Sequence, residues 1–72
     1  MNIKIINELL HERHRDTVKL IDYTCESPNV VVLWVETLKN KVDMDIKPLR
    51  VSRVVDNFRI ANLISDFSRG GL

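Results

Sequence analysis

The chain has 72 residues, 44% of them hydrophobic and 29% charged, with a net charge of +1. That length limits it to one small domain, the balance of apolar and charged residues excludes disorder, and the near-neutral total excludes a global field that would gather nucleic acid or membrane. Cys25 is the single cysteine, which excludes an internal disulfide as reinforcement for so small a core and fits a reducing, cytoplasmic compartment.

Residues 3–13 predict a helix. Ile3, Ile6, Leu9 and Leu10 recur on one face, Lys4, Glu8, His11 and Glu12 take the other, and Asn2 stands where an N-cap is wanted. This first segment is amphipathic and not a long apolar stretch, so no leader peptide is expected. Residues 17–24 favour a strand by type, through Thr17, Val18, Ile21, Tyr23 and Thr24, with a second short helix as the competing reading. Ser27-Pro28-Asn29 breaks the chain. The run 30–35, Val-Val-Val-Leu-Trp-Val, is the strongest strand signal, and it is far too short to span a bilayer. Ser27 and Pro28 are also helix-start residues, and Val31, Trp34, Val35 and Leu38 fit helical spacing, but consecutive β-branched residues favour strand.

Val42, Met44 and Ile46 alternate with Asp43, Asp45 and Lys47, which marks a third strand. With Lys39-Asn40 as a two-residue loop, Val31, Leu33, Val35 and Thr37 share a buried face with Val42, Met44 and Ile46. Trp34, Glu36 and Leu38 then share the opposite face with Lys41, Asp43 and Asp45. A three-residue loop places Glu36 among the apolar residues instead.

Residues 51–68 predict the longest helix, capped by Ser52 and ended at Gly70-Gly71. Its apolar residues form two groups. Val51, Val54, Val55, Phe58 and Ala61 lie on one side; Ile60, Leu63, Ile64 and Phe67 lie nearly opposite. One buried stripe does not produce that pattern. Either the helix breaks near 57–62, or the second group faces outward and pairs with a second copy of the chain.

Few residues suggest chemistry. Glu8, His11 and His14 have helical ligand spacing but do not complete a zinc or di-iron set, so no metal or cofactor is expected. Cys25 lacks a fixed base and reads as a small buried hydrophobe. Asp43 and Asp45 read as solvated carboxylates on the polar face of the hairpin. Lys47, Arg50, Arg53 and Arg59 group near a helix start, where phosphate contacts are possible, although no nucleic-acid motif accompanies them.

The expected fold is α+β: a helix, a three-stranded antiparallel sheet and a helix, with both helices on one face of the sheet. The alternative is an all-α four-helix arrangement, with 17–26 and 28–40 helical. The α+β order is shared by double-stranded-RNA-binding domains, whose basic helix start and glycine-containing loops this chain lacks, so no family is assigned. The expected function is that of a non-enzymatic interaction protein, a regulator, inhibitor or adaptor, acting as a homodimer through Trp34, Ile60, Leu63, Ile64 and Phe67. The alternative is a nucleic-acid-binding regulator using Lys47, Arg50, Arg53 and Arg59. No membrane partner is expected.

Overall fold

Five elements follow one another in the computed structural model, which describes residues 1–39, 43–53 and 56–70: α1 (Ile3–His14), β1 (Val18–Ser27), β2 (Val30–Lys39), β3 (Asp43–Ser52) and α2 (Asn57–Ser68). This is the α+β order; the all-α alternative is not realised. α1 begins as its pattern requires, with the Asn2 side chain accepting the Ile5 N–H at 3.2 Å. It ends at Arg15, whose N–H donates to the His11 carbonyl at 2.8 Å.

The sheet is antiparallel in the order β1-β2-β3. Every second residue of the central strand, Val31, Leu33 and Val35, is buried against Ile6 and Leu10 of α1 and Ile60, Ala61 and Ile64 of α2. Val18, Leu20 and Leu49 complete this core from the outer strands. Both helices therefore cover one face of the sheet, the inner face, and leave the other face open.

The expected register of the second hairpin is corrected. Lys39 pairs with Asp43, so three residues separate the strands, not two. Leu33 stands opposite Leu49 and Val31 opposite Val51, while Met44 faces Leu38 and Ile46 faces Glu36 across the ladder. Met44 and Ile46 thus lie on the outer face, 67% and 54% exposed. An odd shift in register moves every side chain to the other face. Asp43, Asp45 and Lys47 move with it to the inner face, beyond the reach of the helices. Helix length explains why: twelve residues make about 18 Å of helix, against about 33 Å for a ten-residue strand. Val42 lies outside the described residues.

The last helix is also corrected. It starts at Asn57, and its cap is Asp56, whose carboxylate accepts the Phe58 N–H at 3.0 Å, not Ser52. Val51 and Ser52 belong to β3. The two apolar groups are therefore not two sides of one helix; part of the first group is strand. Val54 and Val55 lie outside the described residues. Gly70 takes the left-handed φ of 75° expected just past the end of a helix.

Each edge of the sheet is interrupted at one point. On β1, Leu20 pairs with Val35 and Asp22 with Trp34, leaving a bulge at Ile21. The Asn7 amide of α1 caps the strand there, donating to the Leu20 carbonyl at 2.9 Å and accepting the Leu20 N–H at 2.7 Å. On β3, Pro48 has no N–H to offer an added strand, and Lys47 stands before it. Asn7→Leu keeps the size but strands both Leu20 groups, so it is expected to cost about 1–3 kcal/mol. Denaturant melts together with faster amide exchange at Leu20 test this; unchanged exchange would remove Asn7 from the role.

Candidate functional site

The open face of the sheet is built by alternation. β2 sends Val32, Trp34, Glu36 and Leu38 outward, and β3 adds Met44, Ile46, Pro48 and Arg50 in the cross-strand positions. On β1, Asp22 stands opposite Trp34, and Ile21 is exposed at the bulge next to it. Trp34 occupies the centre, directly opposite Pro48 and diagonal to Ile46, and is 38% exposed. Val32 is buried although it lies outside the helix-packed core, so the outer face has a small apolar floor of its own. Three of the large exposed apolar residues, Trp34, Met44 and Ile46, fall on this one surface, and Ile21 is exposed at its β1 margin.

The charges around it are of both signs, with Asp22 beside Trp34. Lys19 stands opposite Glu36, and the Arg50 guanidinium meets Glu26 at 2.9 Å. An apolar centre with acidic residues beside it concentrates no positive charge that would hold a polyanion.

The structure disperses the other expected sites. Trp34 lies on the open face as its alternation implied, but Ile60 and Ile64 are fully buried, and Leu63 and Phe67 are half-buried. Most of the stripe expected to face outward is the core face of α2: Ile60 and Ile64 belong to the core and Phe67 packs against it. Lys47 lies on the inner face, Arg50 on the outer face, Arg53 just past β3 and Arg59 on exposed α2, so the four basic residues form no common surface. Lys47 instead meets Asp45 at 3.4 Å.

The histidines separate as well. His11 meets Asp16 at 3.4 Å, whereas His14 Nε2 lies 2.9 Å from Ser65 Oγ. Among the described residues no group of three or more histidine, cysteine, aspartate or glutamate side chains could hold a metal, and no helix is long and apolar enough to cross a membrane. Cys25 is exposed and not a buried hydrophobe, since it lies on a corner of the sheet that the helices do not cover.

Met44 and Ile46 were missed as surface residues because their alternation looks like a core. A signal was present: apolar residues sit at even numbers up to Ile46 and at odd numbers from Leu49. In an unbroken strand, that parity switch makes each face apolar at one end only. Compared with known proteins, the chain matches no family model, no curated protein and no solved structure.

Proposed function

We propose that the chain is a small, non-enzymatic interaction protein that works as a homodimer, the open sheet faces of two copies packed on each other. The carrying observation is the continuous apolar patch of Trp34, Leu38, Met44 and Ile46 on the one face that no helix covers. With strands about 4.8 Å apart and about 33 Å long, three strands present about 480 Å². Two such faces bury about 1,000 Å² once side-chain relief is included, the lower bound for a specific interface. The interruptions at Leu20 and Pro48 favour this mode, since each lowers what a partner gains by adding a strand at that edge. Two-fold pairing sets Trp34 of the central strand near the axis, where buried aromatic residues contribute most.

Sedimentation at micromolar concentration tests this. The wild type is expected to be a dimer, with Trp34 fluorescence shifting blue as concentration rises. The Met44→Asp and Ile46→Asp double variant is expected to be a folded monomer. A wild type that stays monomeric overturns self-pairing. Binding of a nucleic-acid probe that weakens with salt would redirect the reading to nucleic acid.

A further inference from the structure

α1 and α2 stop at the same end of the molecule, at His14 and Ser68, while the sheet runs on. A cleft of about 520 Å³ opens between the helix ends and the strands, within the size range of small-molecule sites. Arg13, His14, Lys47 and Arg69 line it, with Val18 and Phe67 as apolar wall, and no carboxylate is among its described lining residues; the Arg13 guanidinium itself reaches along α2 to Asn62 Oδ1 and the Phe58 ring.

A simpler account is that basic residues at helix ends offset the helix dipoles. Magnitudes limit it. Two helix C-termini amount to about one negative charge in total, against three permanently positive side chains. The end carbonyls are also occupied: His14 O accepts from Thr17 N–H and Oγ, Ser65 O from Arg69 N–H and Ser68 Oγ, and Phe67 O from Gly70 N–H. Asp45 offsets Lys47 only through a half-exposed pair at 3.4 Å, which an incoming anion displaces at little cost. Positive charge remains in surplus.

We propose that this cleft binds a small organic anion, its phosphate or carboxylate head held by Lys47 and Arg69 and its apolar body set against Val18 and Phe67. Binding here is independent of what covers the sheet. His14 serves as a built-in reporter. Partial burial and the nearby Arg69 and Arg13 guanidinium groups hold its pKa below the ordinary histidine value, and it faces Ser65 from α2 and Lys47 across the cleft. An anion seated beside the arginines reverses their effect and raises that pKa, so binding takes up a proton and strengthens as pH falls.

Nuclear magnetic resonance titrations with phenyl phosphate, inorganic phosphate and benzoate, at constant ionic strength, test the site. Saturating shifts confined to the cleft are expected, with phenyl phosphate tighter than inorganic phosphate and the His14 titration moved upward. Benzoate, which keeps its charge over the range, is expected to bind more tightly at about pH 5.5 than at about pH 8. Comparing benzoate with phenyl phosphate names the preferred head group. Lys47→Gln with Arg69→Gln is expected to weaken binding at least about tenfold without changing the circular dichroism spectrum. Shifts that grow linearly, that chloride reproduces, or that survive in this variant would overturn the site and leave the basic residues as helix-end charges.

Discussion

Leu33→Ala is expected to lower the melting temperature by about 15–30 °C, at a cost of about 3–5 kcal/mol. Leu33 is fully buried at the middle of the central strand, between both helices and both flanking strands. A domain of this length holds only about 4–11 kcal/mol in all. The cavity left by the missing atoms has no loose neighbour to fill it, since Ile6, Leu10, Ile60 and Ile64 around it are themselves fully enclosed. Asp43→Ala, at an exposed position, is expected to stay within about 0.5 kcal/mol of the wild type. Equal losses in the two variants would place Leu33 outside the core.

Ile64→Asp is expected to abolish folding, while Ile46→Asp leaves the fold intact. The substitution is the same; the environments differ. Ile64 is fully buried at the centre of α2, and Ile46 is about half-exposed on the open sheet face. Burying a carboxylate without a partner costs several kcal/mol, on top of the lost apolar burial, and together these approach the whole stability of the domain. At Ile46 the carboxylate stays in water. Far-ultraviolet circular dichroism and thermal melts of both variants decide the matter. A folded, monomeric Ile64→Asp would restore the outward-facing stripe on α2, and an unfolded Ile46→Asp would restore the two-residue hairpin loop.

Local pattern was enough to specify most of the elements. The 3.6-residue spacing of Ile6 and Leu10 with the Asn2 cap specifies α1, the β-branched run specifies β2, and alternation puts Trp34 on the face opposite Leu33 and Val35. These depend on neighbours a few residues apart, which any stretch of chain carries with it. Two decisions were not local. One was the face that Met44 and Ile46 occupy, because a strand alone has two equivalent faces and only its partner's register chooses between them. The other was whether Ile60 and Ile64 look outward, because the boundary between β3 and α2 merges two apolar patterns of different period into one apparent helix. Tertiary packing settled both at once. Two short helices can cover only part of one sheet face, so the apolar half of β3 beneath them, Leu49 and Val51, turned inward with Ile60 and Ile64. The other apolar half, Met44 and Ile46, was left beside Trp34 on the open side.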